Sequence, residues 1–389
     1  MANMQYQSLR KGNRNMQYGI SIIRRCYFLS VLLVTVWLTG CVQEELGATP
    51  SPAGNGIRFT LTVPDVNLPS VSSRTMTGTG TAKKEDEIET VDILVFDMSK
   101  TPAVFLEWAS ATEVTQDLAD NSTVSFSAVL SPTTASTCIV VVANKELDDI
   151  VSGFTKGVTT KVRAMEEMLH TQTGKWLADG STTGGYTRIP MYGEKVISKI
   201  TPSMNPITDI NMKRMLARID IRNNSVTSNF TVEEVYLANY NTTGYIAPAW
   251  NTNGQVTEPA PDTPVLPTGS GKMTEEGNAI LYSVNGNTPY DGEIYTFESL
   301  AAGDAGGAGQ DGEASRKDAT CLIVKGKIGT GESTFYRVDF TKNGNTGEQV
   351  EYLPLKRNHK YIITITKALG TGYKSFSEAL ASYTVMSNL

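Results

Sequence analysis

Histidine is nearly absent from this chain: His170 and His359 are the only two in 389 residues. Two such distant residues do not make a metal-binding cluster, so no metal and no cofactor is expected. Cysteine is almost as scarce. Of four, Cys26 and Cys41 lie near the amino terminus, leaving Cys138 and Cys321 in separate apolar runs. Two cysteines permit a disulfide without requiring one, and buried thiols are the plainer expectation. Clustered basic residues are missing too. The net charge is −6, and residues 1–40 hold five basic and no acidic residues, so the remainder carries −6 − 5 = −11. So acidic a chain is a poor ligand for phosphate backbones, and no nucleic-acid partner is expected. Long heptads are lacking, and no serine or cysteine has a plausible base nearby, which removes support for nucleophilic catalysis. Glu89, Asp92, Asp97 and Asp339 are conceivable as paired carboxylates, but each falls where a strand's solvent face would carry a charge. "TGSGK" (268–272) and "GTGTAKKEDE" (78–87) lack the context of a phosphate loop. No enzyme is expected.

What is plentiful is strand and turn material. The chain holds 34 glycines and much threonine, and short runs alternate apolar and polar residues between turn signals. The first 40 residues stand apart. Arg24 and Arg25 precede "CYFLSVLLVTVWLTG" (26–40), which has the length of a secretory signal and is too short and wrongly flanked for a stable membrane span. Its end, Leu38-Thr39-Gly40-Cys41, resembles the bacterial lipobox, in which a small residue precedes a cysteine that is acylated before the signal is cut. Residues 1–40 are therefore expected to be a lipoprotein signal, with Met16 as an alternative start, and Cys41 the lipidation site. Two or three acyl chains, at ~0.8 kcal/mol per buried methylene, anchor firmly where one would not.

Residues 42–55, "VQEELGATPSPAGN", read as a flexible spacer. In "GIRFTLTV" (56–63), Ile57, Phe59, Leu61 and Val63 alternate with Arg58, Thr60 and Thr62, as in a half-buried strand. A Pro/Ser/Gly/Thr tether follows, with Arg74 in its middle. "IETVDILVFD" (88–97) is apolar on both faces, as a central strand is. "STVSFSAVL", "TCIVVVANK", "RMLARIDIRN", "TVEEVYLANY", "EIYTFES", "CLIVKGKI", "TFYRVDF" and "HKYIITITK" are further strands. "TKVRAMEEMLH" (160–170) is the best helix, its Val162, Met165, Met168 and Leu169 spaced to face a core. Residues 242–288 are expected to be ordered insertions, and 301–315 a mobile loop by composition. This pattern argues for a mainly β chain of two β-sandwich domains with one short helix in the first. The expected divisions are a signal at 1–40, a lipidated propeptide at 41–74, a first sandwich at 75–203 and a second, with a terminal tail, at 204–389.

In order, the lipobox, the first strand with Arg74 after it, "VDILVFD", "CIVVVANK", "RIPMYG", "KRMLARIDI", "IYTFES", "CLIVKGKI" and "LKRNHKYIITIT" resemble the fimbrillin family, subunits of type V pili in Bacteroidales-like anaerobes. The resemblance spans nearly the whole chain from Cys41. It implies two transthyretin-like β-sandwiches, no enzymatic activity, and a precursor that passes through the periplasm to the outer membrane as a lipoprotein. It also implies that an arginine-specific protease cuts after the first strand, at Arg74-Thr75, and that a strand from another pilus subunit fills the groove. The subunits of the resulting fimbrium support cell adhesion.

The physical chemistry is consistent with that route. Ile57, Phe59, Leu61 and Val63, if buried, contribute ~1.5–3 kcal/mol each, roughly 6–12 kcal/mol together, against the ~5–15 kcal/mol that holds a typical domain. Removing the strand leaves an apolar trough with unpaired backbone groups, a template for another strand. Pro64, Pro69 and the serines around Arg74 keep that arginine open to a protease, and Lys83-Lys84 is a competing basic target. One departure stands out: after "RNHKYIITITKALGTG" only "YKSFSEALASYTVMSNL" follows. Tyr383, Val385 and Leu389 supply at most a shortened donor in 379–389, which leaves shaft, tip and anchor positions open. The competing reading is a surface lipoprotein that binds glycan or host protein without polymerising, with Trp108, Trp176, Tyr186 and Trp250 as stacking candidates.

Overall fold

The strand pairs that build the molecule emerge from alternation, and the layers from which faces are apolar. The structure, a computed structural model, describes residues 56–63, 84–116, 123–176, 187–223, 229–270, 272–273, 276–283, 290–302, 318–342 and 351–382. Strands β1 (Gly56–Thr62), β4 (Thr112–Gln116), β5 (Thr123–Val129) and β9 (Ile207–Asn211) form an outer sheet ordered β4-β5-β1-β9. Beneath it, β2 (Val91–Asp97), β3 (Val104–Ser110), β6 (Thr137–Ala143), β8 (Met191–Ile197) and β10 (Lys213–Arg214) form a sheet ordered β10-β8-β6-β2-β3. Phe59, Leu61, Val124 and Phe126 of the outer sheet pack on Ile93, Val95, Ile139 and Val141 of the lower one.

The lower sheet is buried on both sides. Leu94, Phe96, Val140 and Val142 point away from β1 and pack with Met165 and Met168, and with Ile246, Tyr295 and Phe297 from later in the chain. This double burial is why β2 and β6 lack a polar face. The helix Lys161–Glu167 and its C-cap, Met168, contribute those methionines; the Thr160 side chain caps the other end by accepting from the Arg163 amide at 3.2 Å. It ends earlier than its spacing predicts. Leu169–Thr171 is instead strand β7, paired antiparallel with β14 (Thr243–Tyr245), so a distant partner overrides local helical periodicity.

A second pair of sheets follows. β11 (Ala217–Asn223), β17 (Tyr290–Thr296) and β22 (Lys360–Ile365) are ordered β17-β11-β22. Facing them, β12 (Phe230–Ala238), β16 (Ile280–Ser283), β18 (Cys321–Ile328) and β19 (Thr334–Asp339) are ordered β16-β12-β18-β19, with Ile219, Ile221, Val235, Leu237, Leu322 and Val324 between. Small two-stranded additions join β13 (Tyr240–Asn241) to β15 (Lys272–Met273) and β20 (Thr341–Lys342) to β21 (Glu351–Tyr352). A last helix, Phe376–Ala381, seats Phe376 and Ala379 against Cys321 and Ile323 on the outer side of β18. The chain is mainly β, as its pattern predicts. β9 and β10 lie beyond residue 203 yet pair with the first two sheets. The glycine-rich stretch 303–315 lies outside the described residues.

Candidate functional site: the seat of the first strand

β1 is an inner strand. It runs antiparallel to β5 in unbroken register, Gly56 opposite Val129 through Thr62 opposite Thr123. On its other side it runs parallel to β9, with Phe59 opposite Ile207 and Leu61 opposite Ile210. Alternation sends Ile57, Phe59, Leu61 and Val63 inward, and Phe59 and Leu61 are 0% exposed. The Phe59 ring stacks on Phe126 with centroids 4.9 Å apart and planes 5° from parallel. Thus the first strand completes the sheet and its core. Lifting it out would bare an apolar slot between an antiparallel and a parallel wall, each with a row of unpaired backbone groups.

The connection after Val63 returns to the described chain at the 3-10 turn Lys84–Asp86, and that turn is strongly tied down. Glu85 is 9% exposed; its carboxylate accepts from Arg218 at 2.9 Å and from the Tyr295 hydroxyl at 2.7 Å. Arg214 donates to Asp86 and, at 2.8 Å, to Asn358. Arg218 and Lys360 also bracket the buried Asp220, at 2.8 and 2.9 Å. Burial works against ionising Asp220, but these two cations outweigh it and hold its carboxyl below the usual range. None of this network is visible locally, because Glu85 and its partners are far apart in sequence.

Other sequence candidates fall into place one by one. Asp92 does not sit on a solvent face: it is buried, accepting from the Ser110 hydroxyl at 2.7 Å and the Leu147 amide at 2.9 Å. Glu89 pairs with Arg188 at 2.5 Å, Asp97 accepts from the Ser99 amide at 2.8 Å, and Asp339 pairs with Arg337 at 2.8 Å. Each of the four carboxylates thus has a partner of its own. Cys138 and Cys321 are buried thiols outside any disulfide, and burial pushes the Cys138 thiol up to about 12. His359 contacts the Arg357 carbonyl through Nδ1 at 2.7 Å, at the entry to β22. His170 packs beside Trp176 and Phe297. Trp176 is buried and Trp108 and Trp250 pack half-buried against the same core, so these three rings are engaged inside the protein. Cys41, Arg74, Thr75, Tyr186, Tyr383, Val385 and Leu389 lie outside the described residues. Ala379, the first residue of the expected donor segment, is buried in the final helix.

These features define a class: a layered β protein whose first strand, an integral part of the core, is joined to the rest through a stretch rich in small and turn-forming residues. The chain belongs to the major fimbrial subunit protein (FimA) family, whose model matches residues 57–260. It is similar to the tip fimbrial protein Mfa3 from Porphyromonas gingivalis with C-terminal truncation, at 15% identity over 79% of this chain and 94% of that one, with a TM-score of 0.44. A fimbrial assembly protein from Parabacteroides distasonis matches at 11% identity over 79% and 90% of the two chains, with a TM-score of 0.38. At such TM-scores the likenesses carry no argument. No curated protein matches the chain.

Proposed function

We propose that this member of the fimbrial subunit family is a pilus building block kept monomeric by β1 and released for assembly when β1 is cut away. The precursor travels as a lipoprotein through the periplasm to the outer membrane, held by acylated Cys41. An arginine-specific protease cuts between Arg74 and Thr75, the lipidated segment 41–74 leaves with β1 in it, and an extended strand from another subunit takes its place between β5 and β9. One observation carries this reading: a strand with three buried apolar side chains and a fourth, Val63, just after it, placed inside a sheet, is attached to the body through a single Pro/Ser/Gly-rich connection.

Competing cut sites support Arg74. Side chains of Arg214, Arg218, Arg337 and Arg357 are 3, 12, 2 and 8% exposed and tied into ion pairs. Arg163 is open at 60% but sits in a helix that must unwind before a protease can use it. Lys84 begins the tied-down turn. Treating the folded precursor with an arginine-specific protease should release residues 42–74 and leave a chain that begins at Thr75. Arg74→Ala should stay intact and fail to form filaments. Filaments of normal length from Arg74→Ala, or a mature chain beginning elsewhere, would overturn the coupling of cutting to assembly.

A further inference from the structure

β9 is the weak wall of the groove. Among the described residues its only strand partner is β1, so excising β1 removes its ladder, including the bond from the Met212 amide to the Thr62 carbonyl at 2.8 Å. β5 keeps β4 on its far side. A groove for a replacement strand needs both walls, and β9 therefore needs a hold that does not run through β1.

Such a hold is present on β8. Lys195 donates through Nζ to the Thr208 carbonyl at 2.6 Å and pairs with Asp209 at 3.3 Å. These two residues form a bulge: Phe59 faces Ile207 and Leu61 faces Ile210, so β9 spends three steps where β1 spends two. Asp209 has φ +59°, a left-handed conformation that aspartate tolerates better than most residues, and the Thr208 hydroxyl donates to its carboxylate at 2.9 Å. The bulge matters for side-chain direction. In a regular strand, residues three apart face opposite sides; here Ile207 and Ile210 are both buried in the same core, 4% and 0% exposed. Two residues before Lys195 on the same strand, Gly193 lets the chain around 210–212 lie directly on β8. A Cβ there would stand 2.7 Å from the Met212 sulfur, 2.8 Å from Ile210 Cγ2 and 3.1 Å from the Asn211 carbonyl oxygen.

We propose that Lys195 and Gly193 are positioning residues for strand acceptance: they clamp the bulged β9 to β8, so that the groove keeps its second wall while β1 is absent. The proposal rests on the exchange reading above, since only a protein that loses β1 needs such a clamp. Lys195 acts through the bulge, Gly193 through close approach. Both act on β9 and not on the entering strand's own ladder.

The test uses the full chain cut after residue 74 and freed of residues 42–74, with a synthetic peptide of residues 55–64 as the incoming strand. Wild type, Lys195→Met and the conservative Lys195→Arg are compared. Contacts between the Met212 methyl and the Gly193 α-protons, read by nuclear magnetic resonance, should persist in strand-free wild type and Lys195→Arg and disappear in Lys195→Met. Peptide capture should be about tenfold slower in Lys195→Met, with uncut precursors of all three equally folded, because β1 itself then holds β9. Capture by Lys195→Met at the wild-type rate, or loss of the contacts in strand-free wild type, overturns the clamp. If no variant captures peptide while the contacts behave as expected, the clamp stands and strand exchange fails instead.

Discussion

β1 and β11 occupy the same kind of seat and are held in it by different means. Each is an inner strand with one antiparallel and one parallel neighbour, β5 and β9 for the first, β17 and β22 for the second. β11 lies in mid-chain, and its Asp220 is locked between Arg218 and Lys360 while Arg218 reaches across to Glu85. β1 is held on its inner face by apolar fit and along its edges by backbone pairing, with Arg58, Thr60 and Thr62 on its outer face. Hydrophobic fit is strong yet indifferent to partner, whereas a buried ion pair tolerates no substitute lacking the matching charge. A strand meant to be exchanged belongs in the first kind of seat, and a permanent one in the second.

The comparison can be pressed from its largest consequence downward. Removing residues 42–74 should destabilise the first pair of sheets by roughly 6–12 kcal/mol, so calorimetry of the cut chain should show an early transition for those sheets and a little-changed one for the second pair. A single unshifted transition would erase the distinction. Asp220→Ala should cost about 3–5 kcal/mol by denaturant titration, since it strands two cations in a buried site. That cost should be the same before and after cutting. Phe59→Leu gives up the stack on Phe126, about 0.5–1.5 kcal/mol, and its effect should vanish once residues 42–74 are gone.

The smallest effect is in pH. Burial first, then the charge of Lys145, lowers the folded pKa of His170. A histidine depressed in the fold takes up its proton first in the unfolded chain, so stability should fall as pH drops below about 6.5. Burial sets the same direction for His359, so His170→Phe should shallow the slope between pH 7 and 5 without abolishing it. The carboxylate of Asp220, held down in the fold, should add a steeper loss only as pH falls below about 4.

Much of the strand architecture was legible because alternation is a local signal: the opening strand, β5, β11, β12, β18, β19 and β22 all announce themselves in their apolar spacing. β2 was legible as central because both its faces are apolar. What escaped was set by distant partners. β9 has isoleucines three apart, a spacing that suits a helix face and not a plain strand until the bulge is seen. The helix at 161–167 stops early because β14 claims Leu169–Thr171. Asp92 looked solvent-facing because its partners, Ser110 and Leu147, come from other segments. Within the candidate site, the four inward residues of β1 could be named from sequence alone, while the bulge and its clamp on β8 could not.

The most direct test is the intact mass of subunits drawn from assembled filaments. The account predicts chains that begin at Thr75 and no longer contain the segment Gly56–Thr62. Filaments built from chains that still carry that segment would contradict it.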